Sequence, residues 1–122
     1  MAITRLQWEP GSNRVTWLCD GVPVMWIREN PLQSVCLLDD GNGLAIAESI
    51  VETGPRNAVI VNCDGSERIR LGVLFPSGET YGYDSIYYVG QDLTGIVVTT
   101  LGEWAVIIDP ETGQLSGLRE SR

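Results

Sequence analysis

The sequence predicts an all-β domain built as an antiparallel meander of about ten short strands. Short runs rich in Val, Ile, Leu, Trp and Tyr recur along the chain, and turn sequences with Gly, Pro or Asp-Gly separate them. No ten-residue window repeats apolar residues at the spacing of an amphipathic helix. The length of 122 residues fits one domain, so we expect a single unit over 1–122.

Each strand is predicted where an apolar run follows a turn. Asp and Asn cap their own turns, Gly supplies positive φ and Pro fixes φ, so connectors such as EPGSN, DGN and DPETG end the strands. The longest connector, FPSGETYGYDSIYY at 75–88, is expected to be largely irregular. The predicted strands cover 3–8, 14–19, 22–28, 34–39, 43–48, 57–62, 67–74, 85–90, 95–101, 103–108 and 114–118.

Cys-Asp-Gly occurs twice, in LCDG at 18–21 and NCDG at 62–65, each time after an apolar run. A two-residue Asp-Gly turn predicts a first hairpin with one apolar face, in which the pairs are Cys19 with Val22, Trp17 with Val24 and Val15 with Trp26. A bulge would shift every pair of the second hairpin, so its register over 57–74 stays open. Both motifs are therefore interpreted as turns rather than as a duplicated catalytic site.

The turns recur along the chain: Asp64 lies 44 residues after Asp20, and Asp109 follows 45 residues later in WAVIIDPETGQL. A second match aligns Asp40 and Gly43 with positions 92 and 95. This repeat resembles the four-stranded blades of β-propellers, with units at 1–31 (partial), 32–76 and 77–122. Propellers need about 4–8 blades. The resemblance thus implies sheets packed as a sandwich or partly open barrel in a monomer or dimer, or else several chains in a ring; we expect the first.

Charge is the strongest indication of function. The net charge is −8, all eight basic residues are arginine, and no basic residue occurs between Leu71 and Leu118. Such a surface repels phosphate backbones, which argues against nucleic-acid binding. It attracts and steers a basic protein partner. An acidic surface also aids solubility, which is the alternative explanation.

The cysteines and the N-terminus predict a cytoplasmic protein. The chain starts with MAITRLQWEPG, which lacks the apolar core of a signal peptide, and no apolar run approaches the length of a membrane helix. Cys19, Cys36 and Cys63 are an odd number, so we expect three reduced thiols, with Cys19 and Cys63 buried.

Catalysis and cofactors are not indicated. The chain has no histidine, which excludes His-dependent triads and His metal sites, and its cysteines lack zinc-binding spacing. DDGNG at 39–43 faintly resembles a calcium loop, but a hairpin turn explains it without an ion. We therefore predict a non-enzyme without metal or cofactor.

The connector at 75–88 is the candidate binding segment. It combines Tyr with Ser and Gly, including Ser77, Gly78 and Ser85, which is the composition of binding loops. The alternative is a plain crossover whose tyrosines pack on the core. The predicted partner-binding residues are Glu79, Tyr81, Tyr83, Asp84 and Asp92.

Three functions agree with these patterns. The first is an acidic inhibitor of a basic partner such as a toxin domain; the chain is similar in size, charge and lack of catalytic residues to small bacterial immunity proteins. The second is a blade-repeat lectin that forms a ring and stacks sugars on exposed tryptophan. Trp17 and Trp26 are expected to be buried in the first hairpin, whereas Trp8 and Trp104 could be exposed. The third is an accessory subunit of a larger complex.

Overall fold

The computed structural model describes residues 2–73, 75 and 79–121. Strands make up 57% of it and helix 6%, which confirms the predicted all-β class. Among these residues no helix has the length and apolar character needed to cross a membrane. One short helix, α1 (Ile50–Thr53), leads into a 3-10 turn at Gly54–Arg56. The strands are β1 (Ile3–Gln7), β2 (Arg14–Cys19), β3 (Val22–Ile27), β4 (Ser34–Leu37), β5 (Gly43–Ala47), β6 (Ala58–Asn62), β7 (Glu67–Arg70), β8 (Thr80–Val89), β9 (Asp92–Thr99), β10 (Gly102–Ile108) and β11 (Leu115–Glu120).

The strands form three antiparallel sheets in which neighbours in sequence are neighbours in space. Sheet A contains β1, β2 and β3, sheet B contains β4 to β7, and sheet C contains β8 to β11. Sheets B and C hold the strands predicted for the second and third repeats. The predicted boundary at 76–77 falls outside the described residues, as do Ser77 and Gly78.

Sheet B is the middle layer, and this explains its composition. Every residue of β5 is buried, as are the first four of β6, because both faces of these strands are covered. One face packs on sheet A through Leu44, Ile46, Val59 and Val61. The opposite face packs on sheet C through Ala45, Ala47, Ala58 and Ile60.

The first hairpin has the predicted register: Cys19 pairs with Val22, and Trp17 with Val24. The second hairpin contains the bulge that left its register open, between Ile60 and Val61. Its turn is longer, since the Asn62 amide bonds the Ser66 carbonyl at 2.8 Å. The two Cys-Asp-Gly motifs therefore form different turns.

Cys19 and Cys63 form a disulfide between sheets A and B, with Cα atoms 5.4 Å apart. The prediction of three reduced thiols is wrong for this pair. The sheets stack so that the two pre-turn cysteines face each other, which a single hairpin's pattern does not reveal. Their burial, at 7% and 0% exposed, is as predicted. Cys36 remains free and half-buried.

A buried ionic cluster ties sheet A to sheet B. Glu48 follows β5 and is fully buried; its carboxylate accepts bonds from Arg28 Nε at 2.8 Å and Arg70 Nη1 at 2.6 Å. Arg28 also lies 3.6 Å above the ring of Trp26. Burial raises the pKa of Glu48, but the hydrogen bonds from Arg70 and Arg28 outweigh it, so the net shift of this pKa is downward. Glu48 is therefore ionised and paired in the folded state.

Candidate partner-binding surface

Three of the five predicted binding residues lie together at one end of sheet C. Glu79 directly precedes β8, and Tyr81 and Asp84 belong to its first half. All three are exposed, Tyr81 by 51%. The segment 80–88 is thus mostly strand, and the expectation of an irregular connector is wrong for it.

Two β-bulges place Tyr81 and Asp84 at the surface. Thr80 pairs with Thr99 and Gly82 pairs with the adjacent Val98. Tyr81 is therefore an extra residue in the ladder. A second register shift between Tyr83 and Ser85 makes Asp84 the extra residue there. Bulges redirect side chains away from the regular alternation. The strand therefore presents two side chains to solvent without removing core residues.

Tyr83 does not belong to this surface. Its side chain is fully buried, its hydroxyl donates to the Gly72 carbonyl at 3.3 Å, and burial raises its pKa. Gly95 makes room for the ring, because a Cβ there would lie 2.9 Å from it. The prediction that Tyr83 supplies contact area for a partner is wrong, because its ring fills the core between sheets B and C.

Asp92 is exposed but lies at the other end of β8. It pairs with Val89 at the β8–β9 turn, nine residues along the strand from Thr80. Two of these nine are the extra bulge residues, and the matching stretch of β9 from Asp92 to Thr99 is seven residues, so at about 3.3 Å per residue the separation is roughly 23 Å. The structure therefore separates Asp92 from Glu79, Tyr81 and Asp84.

The helix α1 contributes a residue that the sequence reasoning missed. Val51 is 89% exposed, and α1 packs beside β8, where a Cβ on Gly82 would lie 2.9 Å from Ile50. The available signal was an apolar residue in the polar stretch ESIVETGPRN. We call the group Val51, Glu79, Tyr81 and Asp84 the β8–α1 surface.

Side chains from sheet B hold the edge of β8 in place. Asn57 accepts from the Tyr83 amide at 2.7 Å and donates to its carbonyl at 2.8 Å. Ser34 bonds both the amide and the carbonyl of Ile86, and Gln33 donates to the carbonyls of Tyr83 and Asp84. These bonds satisfy backbone groups that an edge strand would otherwise expose. The frame under the β8–α1 surface is therefore fixed before any partner binds.

The surface is negatively charged. Neither Glu79 nor Asp84 is in a salt bridge with any arginine of the described residues. Free carboxylates accept charge-assisted hydrogen bonds from Arg or Lys. In the same part of the chain, no three His, Cys, Asp or Glu side chains converge as metal ligands would. The surface thus offers two acceptors, a tyrosine and an aliphatic side chain to a protein partner.

Comparison with solved structures finds a similar fold in a chain of the structure of Tne2 in complex with Tni2, with a TM-score of 0.75 and 20% sequence identity. The similarity covers 94% of this chain and 82% of that chain. At this identity the likeness concerns the fold alone. It does not confirm the resemblance to propeller blades. No protein-family model and no curated protein matches the sequence significantly.

Proposed function

We propose that the protein is a non-catalytic inhibitor of the immunity type, which neutralises a basic protein such as a toxin domain through the β8–α1 surface. The observation that carries this proposal is the pair of bulges that displays Tyr81 and Asp84, with Glu79 beside them. The similar chain belongs to the structure of Tne2 in complex with Tni2, which is a complex of two proteins. That setting supports a protein partner.

The residues have different tasks in this proposal. Glu79 and Asp84 lie at the rim in solvent, so they steer a basic partner and raise the association rate. Tyr81 and Val51 supply contact area, and an aromatic anchor buried at an interface contributes about 2 kcal/mol or more. Removing the carboxylates is therefore expected to slow association, whereas Tyr81→Ala is expected to speed dissociation.

The test uses affinity capture from the native cell followed by neutralisation. The captured protein is expressed alone and with the chain; growth restored only by co-expression supports an inhibitor. Tyr81→Ala is expected to weaken binding and rescue. Tyr87→Ala is the matched control, because Tyr87 is a similarly exposed tyrosine, at 45%, on the same strand but on the outer face of sheet C. If both variants lost binding equally, or if neither variant lost binding, the assignment of this surface would be contradicted.

The cytoplasmic location needs its own measurement. It was expected partly because all cysteines were predicted to be reduced, and the disulfide removes that argument. Disulfides persist mainly in oxidising compartments. Cell fractionation combined with thiol labelling in intact cells decides between the cytoplasm and an exported location.

The lectin alternative relied on exposed tryptophans. All four tryptophans lie in the described residues: Trp17 and Trp26 are buried as predicted, and Trp8 and Trp104 are half-buried. No observation favours the lectin over the inhibitor.

A further inference from the structure

The segment between β3 and β4 holds the helix α1 in place. A helix of four residues is too short to be stable alone, so α1 depends on bonds from other parts of the chain. Glu52 accepts from the Asn30 amide at 3.0 Å and from Asn30 Nδ2 at 3.3 Å. The Ile50 amide, at the start of α1, donates to Gln33 Oε1 at 3.0 Å. The segment therefore fixes the helix at two points.

Gln33 also bonds β8. Its Nε2 donates to the carbonyl of Tyr83 at 3.2 Å and to the carbonyl of Asp84 at 3.3 Å. Both carbonyls lie at the second bulge of the strand, where Asp84 is the extra residue. A side-chain amide has an acceptor on its oxygen and donors on its nitrogen, so it can bond two elements at once. This one side chain therefore joins the helix to the bulge.

The backbone of β8 lies directly against α1 at the same place. Gly82 stands between the two extra residues of the strand and has a φ of 146°. A Cβ on Gly82 would lie 2.9 Å from Cγ1 of Ile50 and 3.1 Å from the carbonyl oxygen of Gly54. The missing side chain thus allows the strand and the helix to approach closely. The two halves of the β8–α1 surface are therefore in direct contact.

Other side chains bond β8 without bonding α1. Ser34 bonds the amide and the carbonyl of Ile86, further along the strand. Asn57 bonds the strand and donates to the carbonyl of Glu48 at 2.7 Å. Within the part of the chain that the structure describes, Gln33 is the only side chain that hydrogen-bonds both α1 and β8.

We infer that Gln33 is a positioning residue for partner binding. It holds Val51 of α1 at a fixed place relative to Tyr81 and Asp84 of β8, so that a partner meets one rigid surface. This inference rests on the proposed binding role of the β8–α1 surface. A surface that is ordered beforehand loses less conformational entropy when it binds. Without Gln33 the binding side chains remain present, but the helix can move relative to the strand.

Gln33→Leu is the test variant, and Ser34→Ala is the matched control. Leucine is similar in length to glutamine and removes all three bonds of the half-buried Gln33. Ser34→Ala removes two bonds to Ile86 and none to α1, so the comparison isolates the link to the helix. Urea unfolding establishes that both variants fold. If Gln33→Leu does not fold, Gln33→Glu replaces it, because it keeps the acceptor for the Ile50 amide and lacks the donors to β8.

The first measurement needs no partner. Nitroxide labels are attached at Val51→Cys and Tyr87→Cys in a Cys36→Ser background, which removes the free native thiol. Tyr87 lies further along β8, on the outer face of sheet C, so the distance between the labels reports the place of the helix relative to the strand. Pulsed EPR is expected to give a narrow distance distribution in the unaltered background and with Ser34→Ala, and a broader one with Gln33→Leu. An unchanged distribution with Gln33→Leu would overturn the inference, whether or not a partner binds.

The second measurement is a double-mutant cycle with the protein captured in the test of the proposed function. The factor by which Val51→Ala raises the Kd is expected to be at least about threefold smaller in the Gln33→Leu background, because Val51 is no longer held beside Tyr81. The full effect of Val51→Ala should remain in the Ser34→Ala background.

The outcomes separate this inference from the proposed function. If Tyr81→Ala weakens binding but Val51→Ala raises the Kd by the same factor with and without Gln33, this inference alone is overturned. If neither Tyr81→Ala nor Val51→Ala changes binding in any background, the proposed function at this surface is overturned, and this inference with it.

Discussion

Replacing Glu48 by Gln tests the ionic cluster between sheets A and B. Gln keeps the size of the side chain but removes the charge that Arg28 and Arg70 share. Glu48 is fully buried, while the side chains of the two arginines are 29% and 21% exposed. The change therefore leaves two cations beside an uncharged group in a largely dry site.

The size of the effect follows from burial. Removing one partner of a buried ion pair costs about 3–5 kcal/mol. Because both arginines reach solvent and can recruit water, we expect the lower part of this range, about 3 kcal/mol. Glu67→Gln is the matched control: Glu67 bonds the same Arg70 at 3.2 Å but is 49% exposed. Pairs at the surface contribute about 0–1 kcal/mol.

The effect depends on pH in a defined direction. The pKa of Glu48 is lower in the folded protein than in the unfolded chain, where it is about 4.3. The pair therefore stabilises the fold fully above that value, and this contribution is lost as the pH falls through the lower folded-state pKa. The stability difference between wild type and Glu48→Gln should shrink in acid.

Urea unfolding at neutral and acidic pH measures these differences, with the slope checked for two-state behaviour. If Glu48→Gln lowers the free energy of unfolding no more than Glu67→Gln does, the reasoning is refuted. A difference that stays constant down to the pH at which the wild type unfolds would also refute it.

Two further predictions concern the links between sheets. Removing the disulfide with Cys19→Ser and Cys63→Ser should lower the unfolding free energy by about 4 kcal/mol, because the bridged residues are 44 positions apart. The control Cys36→Ser should change the unfolding free energy little. Three free thiols in unreduced, denatured wild type would contradict the disulfide. Asn57→Ala leaves the buried Tyr83 amide without its acceptor and should lower the unfolding free energy by about 2 kcal/mol. Amide hydrogen exchange should accelerate more in β8 than in β10. Uniform acceleration in both strands would contradict a local role for Asn57.

The strands could be predicted from the sequence because turn residues bound nearly every apolar run. The uninterrupted run in β5, GLAIA, also indicates a strand buried on both faces. The sequence did not indicate which sheets pack on these two faces, because the stacking of sheets depends on the register of separate hairpins. The Cys19–Cys63 disulfide was missed for the same reason.

The candidate site was predictable in composition but not in detail. Glu79, Tyr81 and Asp84 are exposed as their polar context indicated. Tyr83 is not, because two bulges within five residues break the alternation from which a side chain's direction is inferred. Glu48 directly follows the wholly apolar run of β5, and this position was not considered as a buried one; once buried, a carboxylate needs a cation beside it.

The twin bulges of β8 also bear on how this surface can vary. Tyr81 and Asp84 stand opposite no residue of β9, so cross-strand packing does not restrict their identity. Their neighbours Gly82 and Tyr83, by contrast, are fixed by close contacts with α1 and the core. Homologous chains could therefore diverge at these two positions, and so change which protein they recognise, while the residues that specify the fold stay the same.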